Sequence, residues 1–179
     1  MKSKREKVRG RGPAAIAVLA SVLLMSATAA AQQTVIFVRH AERADGGAGG
    51  TAAMTGTPAD PSLSEAGVVR AARLAAMLAD AGVKGIYTSE FKRTQETARP
   101  LASKLGLTLE VVPSKDASGL AAKIKAAHAR DAVLIIGHSN TIPALIRAFG
   151  GPEVKIADDE YSGIYILTPS TGTLTVIRY

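Results

Sequence analysis

An arginine and a histidine, Arg39-His40, stand directly behind the apolar run Thr34-Val35-Ile36-Phe37-Val38. That pairing suits an attack on phosphorus, because an imidazole is a nucleophile and a guanidinium grips phosphoryl oxygens through parallel hydrogen bonds. Alone, such a pair at a strand end reads as a solvated rim. Two further clusters change the weighting: Ser89-Glu90-Phe91-Lys92-Arg93-Thr94 and Gly137-His138-Ser139-Asn140, each just after a short apolar run. In an open α/β sheet, ligands bind outside the carboxyl ends of the strands. His40, Ser89 and His138 are therefore expected along one sheet edge. Arg93 lies one turn into the helix after Ser89 and points back at that edge. Two histidines and two arginines then meet in one pocket.

The elements that must position them follow from short apolar runs alternating with longer Ala-rich stretches. Strands are expected at Thr34–Arg39, Lys84–Thr88, Leu107–Val112, Ala132–Ile136, Gly163–Thr168 and Leu174–Arg178, and helices at Glu65–Ala79, Phe91–Leu105, Leu120–Ala129 and Thr141–Phe149. Ser64 caps the first helix and Gly82 closes it. Its inward stripe is expected to include Val68, Ala72, Ala75 or Ala76, and Ala79. Pro100 should kink or split the second helix. Asn140 caps the fourth, and Gly150-Gly151-Pro152 stops it. This alternation predicts an α/β three-layer sandwich with a mostly parallel central sheet, closed by a late hairpin around Pro169-Ser170-Thr171-Gly172. The segment Arg43–Ser62 has five glycines, two prolines and no periodicity, which predicts a flap over the site. Its Gly46–Gly50 run lacks the Lys-Ser/Thr of a phosphate loop and opens no helix. His128 lies among alanines and lysines on a helix and reads as a surface residue.

Residues 1–31 stand apart. Met1–Arg11 carries six Lys/Arg and one Glu, Ala14–Met25 is apolar, and Ala29-Ala30-Ala31 precedes Gln32. Basic, then apolar, then small is the layout of a secretory signal peptide, here expected to be cleaved. An uncleaved anchor is the competing reading, but the apolar stretch is short for a bilayer span. The whole chain has 22 basic and 15 acidic residues, net +7, and without the leader the remaining 148 residues carry +2. The high pI thus reports the leader, and aromatic residues are few, so nucleic acid is a poor partner. Residues 32–179 are expected to form a single domain, periplasmic or secreted. There is no cysteine, which excludes a thiolate nucleophile, a disulfide and a cysteine-bound metal.

The chain resembles the histidine phosphatase superfamily, with its phosphoglycerate-mutase-like fold, over essentially all of residues 32–179, as a small exported bacterial member. The matching elements are Arg39-His40-Ala41-Glu42, Leu63-Ser64-Glu65-Ala66-Gly67, the run Tyr87–Ala98, and Gly137-His138-Ser139-Asn140. Ala41 replaces the usual glycine after the Arg-His pair. The resemblance implies that His40 is the nucleophile, that Arg39 and Arg93 clamp the phosphoryl oxygens, and that His138 stabilises the transferring group. It implies no cofactor and a small phosphorylated substrate. Mutase activity is disfavoured, because the chain has only a short glycine-rich loop where mutases carry a large cap.

A proton donor for the leaving oxygen is less legible. The candidates are Asp116, in Val112-Pro113-Ser114-Lys115-Asp116, and Glu42, by its nearness to His40. A phosphoramidate substrate would relax that need. The resulting expectation is a metal-independent phosphatase acting on phosphomonoesters or phosphoramidates through a phosphohistidine. A protein phosphohistidine phosphatase is one alternative, and a catalytically weak phospho-ligand-binding module of the same fold is another. His40, Glu42 and His138 also spell two histidines and a carboxylate, but guanidinium groups beside them would repel a metal cation.

Overall fold

Successive residues of strand β1 (Thr34–Arg39) face opposite sides of the sheet, and both sides are apolar: Val35 and Phe37 enter one core, Ile36 and Val38 the other. A strand buried on both faces requires helices on both faces. The computed structural model describes residues 32–46 and 60–179. Its further elements are α1 (Glu65–Leu78), β2 (Val83–Thr88), α2 (Lys92–Leu105), β3 (Leu109–Val111), α3 (Ala117–Ala127), β4 (Ala132–Gly137), α4 (Ile142–Ala148), β5 (Gly163–Thr168) and β6 (Thr173–Arg178). The sheet runs β3-β2-β4-β1-β5-β6. The first four of these are parallel, while β5 and β6 pair antiparallel. Leu120, Ile124, Ile142, Ile146 and Phe149 of the α3–α4 side cover one face. Leu74, Leu78, Ala98 and Leu101 of α1 and α2 cover the other. The three-layer α/β architecture is the expected one. The expected leader, residues 1–31, and residues 47–59 of the expected flap lie outside the described residues.

Several local expectations are corrected. The inward stripe of α1 is Gly67, Ala71, Leu74, Ala75 and Leu78, and Val68 is 58% exposed. Gly67 sets this rotation: a Cβ there would stand 2.3 Å from the carbonyl oxygen of Glu42, so only glycine lets the helix approach the backbone behind His40. Pro100 does not split α2, which runs unbroken and buries Ala98, Leu101 and Ala102 around it. Packing outweighs the lost hydrogen bond there. Helix α3 starts three residues early because Asp116 caps it, accepting from Gly119 N. Thr141, not Asn140, is the N-cap residue of α4, and its hydroxyl accepts from His138 N at 2.9 Å.

His128 is not a bystander on the surface. Its Nδ1 lies 2.9 Å from Asp131 and its Nε2 3.1 Å from the Tyr87 hydroxyl. The ring packs over Gly85 of β2, where a Cβ would stand 2.8 Å from Nε2. It ties α3 to the sheet.

Candidate active site

Strand order builds the site. β1 and β4 are neighbours in register, with Arg39 opposite Gly137, so the residues that follow, His40 and His138, emerge side by side. His40 N donates to Gly137 O at 2.9 Å, and the two rings lie 5.2 Å apart at 63°. β2 flanks β4 on its other side and delivers Ser89, whose hydroxyl is 2.9 Å from His138 Nε2. Arg93 comes from the first turn of α2. All four residues, Arg39, His40, Arg93 and His138, line one open cleft of about 740 Å³. Sequence reasoning placed these side chains at one edge, and the fold brings them together there.

His40 Nδ1 lies 2.8 Å from Ala41 O. A carbonyl only accepts, so Nδ1 carries the proton and Nε2 keeps its lone pair. Burial pushes the His40 pKa down to about 3: the Ala41 carbonyl opposes the shift, while His138, Arg93 and Arg39 add to it. His138 is lowered to about 4, first by burial and then by Arg93, with Glu90 opposing. Its Nε2 is committed to Ser89, which also contacts Thr94 Oγ1 at 2.9 Å. Phe91 packs edge-on against the His138 ring. Both imidazoles are therefore neutral at physiological pH.

These shifts carry a stability consequence. The unfolded chain protonates both histidines near pH 6.5, whereas the folded chain resists until about pH 4 for His138 and about pH 3 for His40. Stability should therefore fall as pH drops from 6.5 toward 4, by about 2 kcal/mol per histidine at pH 5. Urea unfolding at pH 7 and pH 5 checks this. His138→Gln should flatten the dependence, and an unchanged slope would contradict the assignment.

The arginines are held differently. Arg39 Nη1 donates to Ala157 O at 3.0 Å and Glu160 O at 3.1 Å. Arg93 stands 3.6 Å from Asp60 and lies over the Phe91 ring. Arg43, also on the cleft wall, pairs with Asp45. Burial, then the charge of Arg43, lowers the Arg93 pKa, with Asp60 and Asp45 opposing. The Nε atoms of all three arginines, and Nη1 of Arg93, are buried without a hydrogen-bond partner. Buried donors without partners are costly, and three guanidinium groups on one cleft wall make it strongly cationic, which suits an oxyanion.

Neither proton-donor candidate is brought into this cleft. Glu42 is gripped by Arg70 through Nε and Nη2 at 2.6 to 2.9 Å. Partial burial raises its pKa, but the Arg70 bonds outweigh this and hold it below the usual value. Asp116 is spent capping α3 and lines a separate small cavity. The carboxylate on the cleft wall, among the described residues, is Asp158, which accepts from Ser139 Oγ at 2.6 Å. The two-histidine, one-carboxylate metal reading fails on the same ground, since Glu42 faces Arg70. No group of three or more His, Asp or Glu among the described residues could hold a metal ion.

Sequence reasoning missed Arg43, Asp60, Asp158 and Tyr161, whose ring lies 6.0 Å from that of His40. A signal for the last two existed. The late hairpin makes β5 antiparallel to β1, so the residues preceding β5 arrive at the edge where β1 ends. Asp60 closes the glycine-rich segment and accepts from Lys92 N at 2.9 Å, a contact that no local pattern encodes.

The family model of the histidine phosphatase superfamily (branch 1) matches residues 35–117, which include Arg39, His40 and Arg93 but stop before His138. No curated protein matches the chain. Among solved structures, the protein histidine phosphatase SixA complexed with tungstate shares 22% identity, covering 80% of this chain and 94% of its own, with a TM-score of 0.59. YhfR of Bacillus stearothermophilus shares 18%, over 82% and 96%, at 0.60. A mutant phosphoserine phosphatase of Entamoeba histolytica with phosphoserine shares 14%, over 80% and 94%, at 0.59. The family model thus matches part of the chain, and the solved structures, each below 25% identity, share its fold.

Proposed function

We propose that the chain is a phosphohydrolase that uses His40 as its nucleophile and needs no metal. The observation that carries this reading is a neutral imidazole whose Nδ1 is engaged by Ala41 O, so that Nε2 keeps its lone pair, in a cleft that Arg39, Arg43 and Arg93 also line. The Nε2 lone pair attacks phosphorus and the bond to the leaving group breaks. Arg39 and Arg93 hold the phosphoryl oxygens, while His138 donates through its remaining ring nitrogen. Water then attacks the phosphohistidine, the P–N bond breaks and phosphate departs. The cationic side chains supply the neutralisation that magnesium supplies in kinases. A leader in residues 1–31 would export the enzyme to the periplasm or beyond, with residues 32–179 as its one catalytic domain. Small phosphorylated compounds are then its substrates.

A specific observation favours substrates with good leaving groups. Glu42 and Asp116 are engaged elsewhere, and the exposed Asp158 already accepts from Ser139. With neither Glu42 nor Asp116 in the cleft and Asp158 engaged, among the described residues, phosphoramidates and aryl esters should outrun alkyl esters. SixA, a protein histidine phosphatase by name, points the same way. The test is hydrolysis of a series of phenyl phosphates and an alkyl phosphate by the purified protein with EDTA present. Activity that survives EDTA and falls steeply with leaving-group basicity is expected. Activity abolished by EDTA and restored by a divalent metal would refute the metal-free reading. Tight binding of phosphate without any turnover would favour a phospho-ligand-binding module instead.

A further inference from the structure

Arg39 is a buried cation, 7% exposed, without an ion pair among the described residues, whereas Arg93 has Asp60 and Arg43 has Asp45. Its partners are neutral. Two backbone carbonyls, of Ala157 and Glu160, accept from Nη1. The guanidinium carbon lies 4.1 Å from the centroid of the Tyr161 ring. The acids of that turn with assigned partners bond elsewhere: Glu160 directs its carboxylate to Arg178 at 3.1 Å and to the Tyr165 hydroxyl at 3.1 Å, and Asp158 accepts from Ser139 Oγ at 2.6 Å. Tyr161 also flanks the nucleophile, its ring 6.0 Å from that of His40.

Neutral partners have a consequence that a carboxylate would not. A carboxylate would hold the guanidinium but cancel the charge that a phosphoryl group needs. Carbonyl dipoles and an aromatic face hold it and leave its full charge available. We propose that Tyr161, with the Ala157–Glu160 turn, is a positioning residue that fixes the Arg39 fork for phosphate without neutralising it. This rests on the reading of Arg39 as a phosphoryl clamp. It gives the segment before β5, which carries no recognisable motif, a part in the phosphate site.

The test is a double-mutant cycle in the full chain, read by calorimetric binding of inorganic phosphate and by kcat/KM on para-nitrophenyl phosphate. Tyr161→Leu should weaken phosphate binding about tenfold, and Tyr161→Phe, which keeps the ring, should recover most of that loss. In an Arg39→Ala background the leucine substitution should cost nothing further. If the leucine variant does not fold, Tyr161→Met carries the same expectation. Unchanged phosphate affinity in the leucine variant, or an equal loss in both backgrounds, would overturn the proposal. A wild-type protein that binds no phosphate would overturn the clamp itself, and with it the proposed function.

Discussion

His40→Ala is expected to reduce turnover of an aryl phosphate by roughly 10⁴-fold or more while the protein stays folded and still binds phosphate. The proposed chemistry depends on one lone pair. Ala41 O fixes the proton on Nδ1, so no other atom of His40 can attack. His138 cannot substitute, because its Nε2 is committed to Ser89. The guanidinium groups proposed to hold phosphate are untouched, so binding should survive. The fold survives too: the imidazole is buried against His138, Arg93 and Arg39, an environment that disfavours its charged form. The variant should therefore resist acid better than the wild type. Turnover within tenfold of wild type would show that another group is the nucleophile.

Arg93→Met should separate activity from stability. Arg93 is buried in the cleft with Nε and Nη1 making no hydrogen bond, Nη1 standing 3.6 Å from Asp60, and burial and Arg43 disfavour its charge. Its removal relieves that cost and eases the protonation of His138, on which Arg93 exerts the leading charge effect. Asp60 keeps its bond to Lys92 N. A phosphoryl clamp that acts on transition-state charge contributes on the order of 10³-fold. We expect kcat/KM to fall by about that factor while the melting temperature holds or rises, the trade-off typical of strained functional groups. A marked drop in melting temperature with activity retained would make Arg93 a structural residue.

The strands were the most legible part of the chain. Thr34–Arg39 and Gly163–Thr168 fall where alternation and turn residues put them, because strands buried on both faces are unbroken apolar runs. The four central site residues were legible because each follows such a run. Capping and packing were harder to read. Val68 is as apolar as the residues that α1 buries, and only the contact of Gly67 with the Glu42 backbone sets the rotation that exposes it. Asp116 was legible as an acid but not as a cap, since both roles use the same carboxylate. Glu42 was drawn out of the site by Arg70, twenty-eight residues away, and Tyr161 was drawn in by the sheet's antiparallel end. Contacts made across the chain leave no local pattern to read.

The central claim, a covalent phosphohistidine on His40, is tested most directly by trapping. The protein is quenched in alkali within milliseconds of mixing with phosphorus-32-labelled substrate, digested, and the labelled peptide is identified. The account predicts label on the peptide carrying His40, stable to base, lost in acid and absent from His40→Ala. Turnover with acid-stable label, or label retained in that variant, would contradict it.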